Sequence, residues 1–163
     1  MRLLPRLIIV ILATCIAGSA TAQNARNIQG SWILVSSINE VDGRKTDQFG
    51  PQPNGALMFG ADGRFMLTII GAGLPRYVSN NRATGTPEEN KAVVSRSIAM
   101  IGSYVVDTDG KTLTLRTEHA TFPNWDGTEQ RRLIVTLNTD ELAYVTPSAS
   151  GGGVGTVTWK RAH

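Results

Sequence analysis

The stretch Gly30-Ser31-Trp32-Ile33-Leu34-Val35-Ser36 begins the patterned part of this chain, and Trp159-Lys160-Arg161 ends it. In the first, Trp32 and Leu34 alternate with Ile33 and Val35, the period-two signature of a strand. In the second, Val157, Trp159 and Arg161 fall on one strand face. An up-and-down antiparallel β-barrel must bring its first and last strands together to close. A Trp on one seam strand and an Arg on the other can then stack, cation over ring, at the closed end. Trp32, Trp159 and Arg161 are therefore expected to close a barrel. The other use for Trp32 is as a wall of an interior cavity.

Between these ends runs a series of short strands separated by turn chemistry. Ala56 to Phe59 and Arg64 to Ile70 flank Ala61-Asp62-Gly63 as a hairpin, with Phe65, Leu67 and Ile69 on one face. The polar, Gly-rich stretch from Gly71 to Gly85 breaks the rhythm. A helix follows it, with Thr86 as N-cap, Pro87 at the first helical position and Glu89 completing a capping box. Its spacing predicts a run to about Ala99 that docks Val93, Ser97 and Met100. Strands resume at Ser103 to Val106, Thr112 to Ala120, Glu129 to Leu137, Glu141 to Thr146 and Val154 to Arg161. The expected fold is all-β: a single closed or nearly closed antiparallel barrel of about eight strands with one short helix.

The first residues do not belong to that pattern. Arg2 and Arg6 precede an apolar run from Leu7 to Ala17, and Ala20-Thr21-Ala22 offers a small-residue cleavage site. This is the layout of a secretory signal peptide over residues 1–22, with residues 23–163 as the barrel domain. An uncleaved anchor is the competing reading, but the run is short for a membrane span. Lipoprotein processing at Cys15 is a further alternative. Cleavage after Ala22 would leave 141 of the 163 residues, enough for one domain with a core. It would also remove the single cysteine, so packing and strand pairing must hold the domain without a disulfide. Loss of Arg2 and Arg6 takes the 16 basic residues to 14 against 13 acidic ones, a net charge of +1. No basic stripe interleaved with aromatics remains to suggest nucleic acid. The expected destination is the periplasm or the outside of the cell, with no stable membrane span after processing.

In the order of these strands and their motifs, the chain resembles the bacterial lipocalin-like domain proteins. The resemblance is carried by Gly30-Ser31-Trp32 to Ser36, Gly55 to Phe59 with Asp62-Gly63-Arg64, and Gly102 to Asp107. It continues through Pro123-Asn124-Trp125-Asp126-Gly127-Thr128, Gln130-Arg131-Arg132 and Trp159-Lys160-Arg161. The Pro-Asn-Trp-x-Gly-Thr stretch is its most specific part. The chain departs from the pattern over Gly71 to Gly85. The resemblance implies a barrel with an internal cavity for a small, largely apolar molecule, and it brings no catalytic residues with it.

The candidate ligand contacts gather on one hairpin: Glu118, His119, Asn124, Trp125 and Arg131, with Gln130 beside them. Strict alternation puts His119 on the face of Leu113 and Leu115, and Arg131 on the face of Leu133 and Val135. If both faces point inward, a His and an Arg enter an apolar barrel. A buried Arg is costly unless it meets an anion or a fixed acceptor, and a ligand carboxylate is one such group. The plainer alternative pairs Arg131 with Glu118 or a backbone carbonyl to pin the hairpin. Tyr77 is a further candidate, since Leu74, Tyr77 and the helix either cover the barrel mouth or pack outside it.

Cofactor motifs are missing from the sequence. Asp107-Thr108-Asp109-Gly110 resembles a calcium loop but lacks the third acidic position and the closing Glu. Gly151-Gly152-Gly153-Val154-Gly155 lacks the Lys of a phosphate loop. For a metal, His119 with scattered carboxylates is too little, and His163 is terminal. Three functions fit: an exported binder of a hydrophobic or amphipathic molecule, a barrel enzyme of the isomerase, cyclase or hydrolase type using His119 with Glu118 or Arg131 on an apolar substrate, and an envelope interaction module whose barrel is filled by its own side chains.

Overall fold

The computed structural model describes residues 27–163. The signal-peptide reading of residues 1–22 and the Cys15 alternative lie outside the described residues. Among the described residues nine strands form one sheet: β1 (Gly30–Val41), β2 (Arg44–Asp47), β3 (Asn54–Phe59), β4 (Arg64–Ile70), β5 (Ser97–Val106), β6 (Thr112–Ala120), β7 (Glu129–Leu137), β8 (Glu141–Thr146) and β9 (Val154–Arg161). Every pairing is antiparallel, and β1 pairs with β9 to close the sheet on itself. On its other edge β1 gives its first residues to β3 and its last to the short β2, so eight strands make the wall and β2 extends it. The closed antiparallel barrel expected from the alternation is what the chain forms.

Closure rests on the two terminal strands. Trp32 pairs directly with Arg161 across the seam. The Arg161 guanidinium lies 4.1 Å from the centre of the Trp32 ring. Its Nη1 donates to the Gln29 carbonyl at 2.7 Å and its Nη2 to that of Asn27 at 2.5 Å, while Nε donates to Thr139. The Trp32 indole donates to the Ile28 carbonyl at 2.9 Å. Chain entering and chain leaving the barrel are thus tied over one ring, and this end is plugged. Above the plug, Leu57, Leu113, Leu115, Leu142 and Trp159 are fully buried. Burial of side chains of this size contributes roughly 1.5–3 kcal/mol each.

The helix α1 (Pro87–Ser95) starts with the expected capping box, Thr86 and Glu89 each bonding the other's backbone. It does not reach Ala99. Residues 97–106 form β5, and Ile98 and Met100 point into the barrel opposite Ile69 and Leu67 of β4. The helical spacing of Val93, Ser97 and Met100 loses to ladder pairing, which buries Ile98 and Met100 on the core side of a strand. The helix sits at the rim, burying only Glu89, whose carboxylate also accepts from the Val78 N–H at 2.9 Å.

Three strands carry bulges that decide which residues face inward. In β6, Ile101 pairs with His119 but Gly102 pairs with Thr117, leaving Glu118 as the extra residue. Gly102 permits this, because a Cβ there would stand 2.0 Å from the Arg116 carbonyl oxygen.

Candidate functional site

Opposite the Trp32 plug, the barrel holds a cavity of about 40 Å³, room for a few waters. Its apolar walls include Leu67 and Ile69 of β4, Ile98 and Met100 of β5, and Val157 of β9. Ser37, Gln48, Thr146 and Ser150 line it with polar groups, and Ser37 Oγ donates to Gln48 Oε1 at 3.2 Å. Phe49, 6% exposed, is a wall of this cavity and also of an outer vestibule of about 290 Å³. The vestibule runs past Val94 and Ser95 at the end of α1 to Phe122. Arg96 fixes the Phe49 loop by donating to the carbonyls of Phe49 and Ala72. Phe49 is thus one of four residues, with Gln48, Ile98 and Ser150, that line both the cavity and the vestibule.

The inward arginine is Arg132, not Arg131. In the β6–β7 ladder Leu113 pairs with Arg132 and Leu115 with Gln130, and paired residues share a face. Arg132 is 5% exposed, whereas Arg131, Leu133 and Val135 lie on the outer surface. Apolar character at Leu133 and Val135 points to the wrong face; the register with Leu113 and Leu115 gives the right one. The bulge at Val135 then resets the alternation for the rest of β7.

His119 is likewise outside. The extra residue Glu118 turns the strand by one position, so Ala120 takes the inward place and the His119 side chain is 78% exposed, 3.6 Å from Asp126. Glu118 is held on the outer face by both terminal nitrogens of Arg64, which keep its carboxyl below the usual carboxylate range. Asn124 is exposed in the short turn of Pro123–Trp125. Tyr77 donates to Asn90 Oδ1 at 3.2 Å, against α1 and away from the cavity walls. Of the candidate ligand contacts, only Trp125 lines the cavity. It packs edge-on against Phe122, ring centres 5.5 Å apart.

Arg132 and Tyr144, which alternation alone did not single out, complete the site. The guanidinium lies 5.9 Å from the centre of the Trp125 ring. Its Nη1 donates to the Arg131 carbonyl at 3.1 Å, and it also approaches the Tyr144 hydroxyl. Among the described residues no carboxylate reaches it. Burial pushes its pKa down, and Tyr144 offsets part of that shift. Burial likewise raises the Tyr144 hydroxyl, with Arg132 and then the Trp159 indole opposing. The Trp159 N–H faces that hydroxyl without completing a hydrogen bond of ordinary geometry. The arrangement is a desolvated cation and a phenol on the wall of an otherwise apolar space.

Among the described residues, no group of three or more His, Cys, Asp or Glu side chains is placed to hold a metal ion. No described helix is long and apolar enough to cross a membrane.

The chain belongs to the lipocalin-like domain family, whose sequence model matches residues 29–162. No curated protein matches it. Solved structures similar to it include a redesigned β-barrel, 16% identical, with a TM-score of 0.46 over 86% of this chain and 96% of that one. A de novo designed fluorescence-activating β-barrel is 13% identical, with a TM-score of 0.42 over 85% of this chain and 96% of the other.

Proposed function

We propose that the protein is an exported carrier or scavenger that holds a small hydrophobic or amphipathic molecule inside its barrel. The observation that carries this reading is the cavity itself, which adjoins the vestibule along Gln48, Phe49, Ile98 and Ser150. A barrel filled only for stability has no need of an aromatic loop residue poised between an inner space and an outer one. Moving Phe49 out of the shared wall would open the inner space toward the vestibule and enlarge it toward the volume of a small-molecule site, about 300 Å³ or more. Residues 1–22 serve in this reading as the export signal. His119 is outside the barrel, so the enzyme alternative built on it has no base facing the cavity.

Native mass spectrometry of the protein purified gently from its own host tests the reading. A reproducible added mass that disappears on denaturation is the expected result. A bare mass, unchanged after incubation with a panel of fatty acids and aromatic acids, would favour a filled-barrel interaction module instead.

A further inference from the structure

We infer that the barrel binds the carboxylate of a compact apolar acid, with Arg132 as its anion-binding residue. The inference rests on the reading of the cavity as a ligand site and adds the chemistry of the ligand's head. Three observations on Arg132 lead there. It is 95% buried by its exposure of 5%, and it lines the cavity. Its acceptor, the Arg131 carbonyl, and the nearby Tyr144 hydroxyl are both neutral, while a guanidinium carries five N–H donors in a planar fork. Trp125 covers it with an aromatic face, which helps hold the cation without supplying a negative charge.

Buried charges are ordinarily paired, and apolar residues of similar volume often replace buried ion pairs without loss of stability. The position opposite Leu113 would take a Leu or Met on packing grounds. A carboxylate entering past Phe49 would meet the fork in the bidentate geometry that guanidinium favours, with the Tyr144 hydroxyl beside it as a further donor. The rest of the molecule would lie against Leu67, Ile69, Ile98 and Met100. The small inner cavity favours a short-chain or single-ring acid over a long-chain lipid.

Calorimetric titration of the full protein with butanoate, octanoate and benzoate, each against its primary amide, tests this. At least one acid is expected to bind ten-fold or more tightly than its amide. Arg132→Met should bring that acid to the level of its amide. Arg132→Lys should retain part of the preference, and Arg131→Met on the outer face should leave it intact. Thermal melting of each variant checks that the fold survives, and the wild-type acid–amide comparison stands even if a variant does not fold. Equal binding of acid and amide by the wild type, or a preference that persists in a folded Arg132→Met, overturns the carboxylate inference while sparing the carrier reading. If neither acids nor amides bind, both fail.

Discussion

Arg132 stands directly opposite Leu113 in the β6–β7 ladder, which places a guanidinium inside the barrel beside a fully buried leucine. A charge so placed opposes folding unless something compensates it. Arg132→Met is therefore expected to leave thermal stability unchanged or to raise it, by up to about 1–4 kcal/mol. Denaturant titration of the two proteins measures this, and a large loss of stability would mean that Arg132 holds the barrel together.

Arg161 is expected to behave in the opposite way. Its guanidinium covers Trp32 and bonds three backbone carbonyls, so Arg161→Ala should destabilise the protein by about 2–4 kcal/mol. Arg161→Lys should recover little of this, because an ammonium cannot reach several fixed acceptors with one planar fork. Urea unfolding with an unchanged m-value is the appropriate check.

Gly102 is the residue that makes room for the β6 bulge. Gly102→Ala places a Cβ 2.0 Å from the Arg116 carbonyl oxygen, in backbone that cannot move aside cheaply. A loss of about 2–3 kcal/mol or more is expected. If the bulge instead straightens, His119 turns inward, and its ring protons would show contacts to core methyl groups by NMR.

For His119→Ala and Arg131→Ala, changes in stability within about 0.5 kcal/mol and no change in ligand affinity are expected, since both side chains lie on the outer face. A marked loss of binding in either would place the ligand outside the barrel.

The buried phenol makes a prediction about pH. Burial holds the Tyr144 pKa above its ordinary value of 10.0, and that of Tyr104 likewise. The unfolded chain then releases these protons at a lower pH than the folded one does. Stability should therefore be intact below about pH 10 and fall as pH rises beyond it. In Tyr144→Phe the fall should be shallower, leaving the part that belongs to Tyr104. Equal slopes in the two proteins would contradict the burial of Tyr144.

Much of this fold is legible in the sequence, because alternation and turn chemistry report local facts. The hairpin at Ala61-Asp62-Gly63, the capping box at Thr86 and Glu89, and the two seam strands are all of this kind. The site is less legible, because it depends on which face of each strand points inward. A bulge reverses that choice with one residue. For the β6 bulge the signal is a lone glycine, Gly102, within the mostly apolar partner strand β5. At β7 the exposed Leu133 and Val135 imitate a core face, and only the register with β6 shows that Arg132 takes the inward place. The end of the helix is ambiguous in the sequence for a related reason: Val93, Ser97 and Met100 fit a helical face, yet strand pairing to β4 claims Ser97 and Met100.

The central claim, that a small molecule sits inside this barrel against Arg132 and Trp125, is tested most directly by nitrogen–proton NMR of the protein titrated with octanoate and benzoate. The largest shifts are expected at the Arg132 Nε–H and the Trp125 indole N–H, with Phe49 next. The Trp32 indole, bonded to Ile28 at the plugged end, should stay put. Shifts centred instead on the outer-face residues Met58, Met66 and Ile101, or no shifts for either acid, would contradict it.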